Sequence, residues 1–182
     1  MSLRHLVLAT AALAAVTSAP LAAKNPMVGG AAMYPTRTIV ENAVNSKDHT
    51  TLVAAVKAAG LVETLSGKGP FTVFAPTDAA FARLPAGTVE TLVKPESRDA
   101  LTGILTYHVV PGRITAGNIA SLAARNKGTA TLKTVQGETL RFHKSGSGWA
   151  VMDSKGGMAR IRIANVMQSN GVIHVIDRVL MP

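Results

Sequence analysis

The chain of 182 residues has no cysteine. That absence excludes thiol nucleophiles, thiolate metal ligands, redox pairs, disulfide bridges and a lipid-modified cysteine anchor. Aromatic residues are only 4% of the chain, seven rings in all, too few for a base-stacking or sugar-stacking platform, so no nucleic-acid partner is expected. Charged residues are 16% against 47% hydrophobic, which excludes a disordered chain. Acidic residues are the scarcer charge, 10 against 19 basic, for a net charge of +9. No apolar run approaches the roughly 18 residues of a membrane span, the run from Leu6 to Val16 included.

That run does have a recognisable plan. Arg4 and His5 precede it, and small residues with Pro20 follow it up to Ala23. Residues 1–23 are therefore expected to be a secretory signal peptide, which makes the mature protein secreted or periplasmic, without a transmembrane segment. Residues 24–35, with Pro26, Gly29, Gly30 and Pro35 and no apolar period, are expected to be a flexible lead-in. Residues 36–182 remain as one domain, expected to be monomeric. Positive charge is concentrated late in the chain: Arg125 to Pro182 holds nine basic and three acidic residues, whereas Lys24 to Ala124 holds nine and seven.

Within the domain, Ile39, Val40, Ala43 and Val44 fall at helical spacing after Thr38, an N-cap type. A second helix opens at His49 or Thr50 and stops at Gly60, followed by a further turn over Leu61 to Leu65. Phe71 to Ala75 is rich in β-branched and aromatic residues and reads as a strand ended by Pro76, with Thr77 or Asp78 capping the next helix. Helical patterns cover 88–93 and 97–105, a strand is expected over Tyr107 to Val110, and a short helix over 115–124. Beyond that point the pattern alternates. Leu132, Leu140, Phe142, Val151, Ile161, Ile163, Val172, Val175 and Val179 are the expected inward residues, with turns at Gly137, Gly146 to Gly148 and Gly156 to Gly157. Helices first and hairpins last indicate an α+β fold.

Catalytic signatures are missing. Ser147 lies among glycines without a nearby acid, and Gly67, Lys68 and Gly69 lack the spacing and the Ser or Thr of a phosphate loop. His49, His108, His143 and His174 do not show zinc-type spacing. The chain is accordingly read as non-enzymatic, with no metal and no cofactor.

Three segments carry a resemblance. Gly69 to Phe81, which includes Phe74, Pro76, Thr77, Asp78 and Phe81, is similar to the first signature segment of the fasciclin domain. Tyr107, His108, Val109, Val110, Pro111 and Gly112 resemble the family's central tyrosine-histidine motif. Asn170 to Asp177, with Asn170, Gly171, His174 and Asp177, is similar to its closing segment. The resemblance implies a β-wedge of two small sheets with a helical layer packed at one side, and a non-catalytic role in extracellular adhesion through a cell-surface or matrix partner.

Physical chemistry assigns these motifs mainly to structure. A buried imidazole or phenol without partners costs about 1 to 3 kcal/mol, so Tyr107, His108 and His174 are expected to be polar links in the core, with Tyr107 and His108 as candidate contact points. In animal relatives the tyrosine-histidine segment and an aspartate-isoleucine pair are associated with integrin binding. The pair maps onto Asn165 and Val166 here, without the carboxylate, and no Arg-Gly-Asp sequence is present.

The second candidate surface is basic. Arg160 and Arg162 bracket Ile161, and Arg141 and His143 bracket Phe142, so with a period of two the cations face away from the apolar residues. With Lys133 and Lys144 they are expected to form one exposed face, attractive to an acidic polysaccharide, lipid headgroups or another envelope polymer, or serving to keep sheet edges from aggregating. A periplasmic or extracellular carrier of a small ligand or acidic polysaccharide, held in a pocket or on this face, is the alternative function.

Overall fold

The computed structural model describes residues 25–182; the signal-peptide reading of residues 1–23 lies outside them. The described part of the expected lead-in, residues 25–35, is not loose. From Pro26 onward they make a hairpin, β1 (Met27–Val28) with β2 (Ala31–Ala32), and bury Val28 and Met33. A turn through Gly29 and Gly30 closes it, and the carbonyl of Gly29 accepts from Lys47. The hydrophobic signal is two isolated side chains, too short for a period to be read.

Helices α1 (Ile39–Ala43), α2 (Thr50–Ala58) and α3 (Val62–Ser66) follow. Thr38 and Glu41 form a capping box on α1, and Gly60 lies just past the end of α2 with a left-handed φ of 73°. Next come β3 (Phe71–Pro76), α4 (Asp78–Phe81), α5 (Thr88–Leu92) and α6 (Arg98–Tyr107). Strand β4 (Val109–Pro111) is short, and α7 (Ala116–Arg125) is capped by Thr115 and Asn118. The chain ends in β5 (Thr129–Lys133), β6 (Thr139–Ser145), β7 (Gly148–Met152), β8 (Met158–Gln168) and β9 (Gly171–Ile176).

The order β4-β3-β9-β8-β7-β6-β5 forms a seven-stranded mixed sheet in which only β3 and β9 run parallel. Register shifts in β8 between Ile161 and Val166 bend it into two halves. The halves close on each other: Phe74 of β3 meets Phe142 of β6 with ring centroids 5.2 Å apart. Side chains of β3 consequently alternate between two cores. Val73 and Ala75 pack on the helical layer of α1 to α4 and α6, while Phe74 joins the core between the half-sheets, which α7 completes. Every residue of β9 is buried, because this central strand is covered on both faces. The expected inward residues of β5 to β9 are buried, except that Ile161 and Ile163, flanking the bend, are half-buried.

Candidate functional site

The tyrosine-histidine motif lies at a helix end. Tyr107 is the last residue of α6 and His108 closes it, so the strand expected from Tyr107 begins only at Val109. The side chain of His108 explains the extension. Its Nδ1–H donates to the carbonyl of Ile104 at 2.8 Å, which serves a carbonyl near the helix end, and its Nε2 accepts the amide of Leu180 at 3.0 Å. Since an amide only donates and a carbonyl only accepts, these partners fix a neutral imidazole. Burial, against the smaller opposing influence of the Ile104 carbonyl, lowers its pKa to about 4.

Tyr107 is fully buried. Its hydroxyl accepts the amide of Ser154 at 2.9 Å and points its proton toward the carbonyl of Thr139, 3.5 Å away. Burial pushes the phenol pKa up. Both residues thus link α6 to the β7–β8 turn and to the C-terminal segment. As contact points for a partner they are corrected: at 0% and 2% exposure neither reaches the surface.

His174, in β9, stacks on Phe74 at 5.4 Å, donates from Nε2 to the carbonyl of Ile114 at 2.8 Å and accepts the amide of Asn165 at 3.3 Å. Desolvation lowers its pKa. Asn165 itself occupies the bend of β8 with a left-handed φ of 59°, and its Oδ1 accepts the first amide of α7, that of Ala116, at 2.8 Å. Val166 beside it is fully buried. The pair that replaces aspartate-isoleucine therefore serves the fold.

The remaining signature residues are also engaged. Thr77 caps α4, whereas Asp78 turns away to α2, taking the amides of Thr50 and Thr51. Pro76 ends β3 and Phe81 is buried in the helical-side core. Pro111 ends β4. Gly112, with φ of 97°, donates to Pro70 and accepts the hydroxyl of Thr72. Asn170 joins three elements: its Oδ1 takes the amide of Ile39, and its Nδ2 donates to the carbonyls of Leu65 and Gly67. At Gly171 a Cβ would collide with the carbonyl of Phe71 in the neighbouring strand. Asp177 accepts the amide of Arg160 and pairs with Nε of Arg162 at 3.0 Å.

Register settles where the expected cations lie. Arg141 pairs with Thr131 on one side and Met152 on the other, and Arg160 pairs with Ala150. Lys133, two residues from Thr131, shares their face, so Lys133, Arg141 and Arg160 stand together on the outer side of β5 to β8 and are exposed. Arg162 is exposed at the end of this row. Lys144 is not with them: its ammonium lies 5.4 Å over the ring of Trp149, its cross-strand partner on the other face. Sequence reading missed Arg83, whose Nη1 donates to the carbonyl of Asp177 at 3.0 Å. These two residues are 94 positions apart, so no local pattern announces their contact.

Among the described residues, the cavity between α1, α2, α3, α6 and β3 is lined almost wholly by apolar side chains, with Lys57 and His108 the exceptions, and measures about 40 Å³. No group of three or more His, Asp or Glu is placed to hold a metal among these residues, and no described helix is long and apolar enough to cross a membrane.

Comparison with known proteins agrees with this architecture. The fasciclin domain family model matches residues 47–182. The chain is 51% identical over 160 residues to protein sll1483 of Synechocystis, covering 87% of this chain and 81% of the relative. It is 35% identical over 191 residues to the immunogenic protein MPB70 of Mycobacterium bovis, covering 94% and 90%. A FAS1 domain pair from the insect cell adhesion molecule Fasciclin I shares the fold with a TM-score of 0.71 at 18% identity, over 80% of this chain and 51% of that one. Motifs, sheet order and a family match running from just before α2 to the last residue together show that the chain belongs to the fasciclin domain family.

Proposed function

We propose that this protein is exported and acts without catalysis as an interaction module of the cell surface or its surroundings, engaging a cell-surface or matrix partner through its exposed faces. The carrying observation is the internal use of its polar signature. His108 and His174 have both ring nitrogens occupied, and Tyr107, Asn170 and Asp78 direct their polar groups to backbone amides and carbonyls. Acid-base or nucleophilic catalysis needs such a group free and facing substrate. The description of Fasciclin I as a cell adhesion molecule and the plan of residues 1–23 support the same reading.

The carrier alternative looks to the apolar cavity. At about 40 Å³ it is well below the roughly 150 Å³ that admits benzene in an engineered protein core, and one of its two polar lining groups, His108, is fully engaged. Small-ligand carriage through this space is therefore the weaker reading.

Expression of the full chain with a C-terminal tag in a bacterium, cell fractionation and N-terminal sequencing test the proposal, together with binding of the mature form to whole cells. A mature chain beginning near Lys24, found outside the cytoplasm and binding cells saturably, is expected. Retention in the cytoplasm with residues 1–23 intact, or absence of cell binding, would overturn it.

A further inference from the structure

We infer that the outer face of β5 to β8, continued around the end of β9, is a docking band for a linear acidic polysaccharide. This rests on the reading of the chain as a surface-interaction module and names the partner of one face. Lys133, Arg141 and Arg160 share that face by register. With strands about 4.8 Å apart, the row from β5 to β8 spans about 14 Å, longer than any single anionic group.

The band then turns the corner. Arg162 and Arg83 meet at Asp177, and Arg178 is the next residue, exposed. The acids within reach are Asp177, Glu138 and Asp153, the last two beside Arg141 in a shallow groove with Thr139 and Ser154. The Asp153 carboxylate is taken up by the amides of Lys155, Gly157 and Met181, and the six cations remain in excess. Asp177 also has a positive use. By holding Nε of Arg162 and leaving its side chain 57% exposed, it orients a guanidinium whose terminal nitrogens stay open to a carboxylate or sulfate.

Three features select a sugar polymer among polyanions. Thr131, opposite Arg141, and Thr139, opposite Lys133, stand beside the cations on the same face and offer hydroxyls to sugar hydroxyls. No Phe, Tyr or Trp ring for base stacking lies on it among the described residues, since Phe142 is buried on the inner side and Trp149 is occupied by Lys144; the one ring on this face is the half-buried His143. Met158, 47% exposed, is its one large exposed apolar side chain among the described residues, which leaves no hydrophobic wedge for a bilayer.

The test measures binding of the mature protein to polygalacturonate, dextran sulfate, neutral dextran, phosphatidylglycerol vesicles and single-stranded DNA at low and high salt. It is repeated with the Lys133→Ser, Arg141→Ser, Arg160→Ser triple variant and with Arg160→Ser alone, their folding verified by thermal melting. Binding to one or both acidic polysaccharides, weakened by salt, is expected, with affinity lower by about tenfold in the triple variant and none for neutral dextran. Carboxylate and sulfate polymers then separate which anion is preferred. No binding to either acidic polymer, equal binding by both folded variants, or equal affinity for vesicles or DNA would overturn the inference. If whole cells are still bound in any of those cases, only this inference fails and the surface-module reading stands.

Discussion

The carboxylate of Asp78, in the first turn of α4, accepts the amide of Thr51 in α2 at 2.8 Å, across 27 residues of sequence. The same carboxylate takes the amide and hydroxyl of Thr50. Helix α2 has no side-chain cap of its own from His49, so the strand-to-helix corner at Pro76 and Thr77 supplies one from a distance. Asp78→Ala is expected to lower stability by about 1 to 2 kcal/mol, read as a shift of the denaturant midpoint, and Thr77→Ala by about 1 kcal/mol. Burial raises the Asp78 pKa, but the hydrogen bonds from Thr50 and Thr51 outweigh it and hold the carboxyl below its ordinary value. Its contribution is therefore present at neutral pH and disappears as pH falls through the folded-state value.

Tyr107→Phe keeps the ring in its buried place and removes the acceptor for the Ser154 amide. A loss of about 1 to 3 kcal/mol is expected, with unchanged binding to cells by the protein that remains folded. Replacing both Tyr107 and His108 by Ala is expected to lower the melting temperature before any binding is altered. Lost cell binding at an unchanged melting temperature would contradict the structural role of these two residues.

Three buried imidazoles make the protein acid-sensitive. Burial lowers the pKa of His108 to about 4 and also lowers those of His174 and His49. In the unfolded chain they titrate near about 6.5. Between these values the unfolded state binds more protons than the folded state. Stability from neutral histidines is thus complete above about 6.5 and declines as pH falls toward about 4, by on the order of 3 kcal/mol for His108 alone. Thermal melts through this window check it, and the decline should be shallower in His108→Ala at the cost of a lower starting stability.

The junction of β3 and β9 is the most exacting place in the sheet. Gly171 admits no Cβ against the Phe71 carbonyl, and Asn170 beside it satisfies three backbone groups in α1, at the end of α3 and in the loop after it. Gly171→Ala is expected to displace β9 from its parallel partner and abolish soluble expression or cooperative unfolding. Asn170→Ala is expected to destabilise by about 2 kcal/mol or more, since it leaves several buried groups unpaired. A melting temperature within a degree or so of wild type in either variant would show that the junction relaxes.

Much of this was legible from local chemistry. Thr38, Gly60, Pro76 and Thr77 mark element ends because caps and breakers act within a turn of themselves. The face shared by Arg141 and Arg160 follows from a period of two once their strands lie in one antiparallel array. The hairpin at Met27 to Ala32 escaped because two apolar side chains carry no period. The end of α6 escaped because the helix continues through a side-chain bond from His108 to Ile104 where the sequence pattern suggests a strand.

What the sequence by itself determined is the set of local elements, the α+β class, the surplus of positive charge in the last third and the family, since each depends on residues close together in the chain or on motifs read in order. The tertiary structure alone decided which backbone groups Tyr107 and His108 hold in the interior, that Asp78 caps a helix other than its own, and that Arg83 joins Arg162 at Asp177. Those outcomes depend on which distant segments meet. Long-range packing against a buried parallel strand brings them together, and neither spacing nor composition encodes that approach.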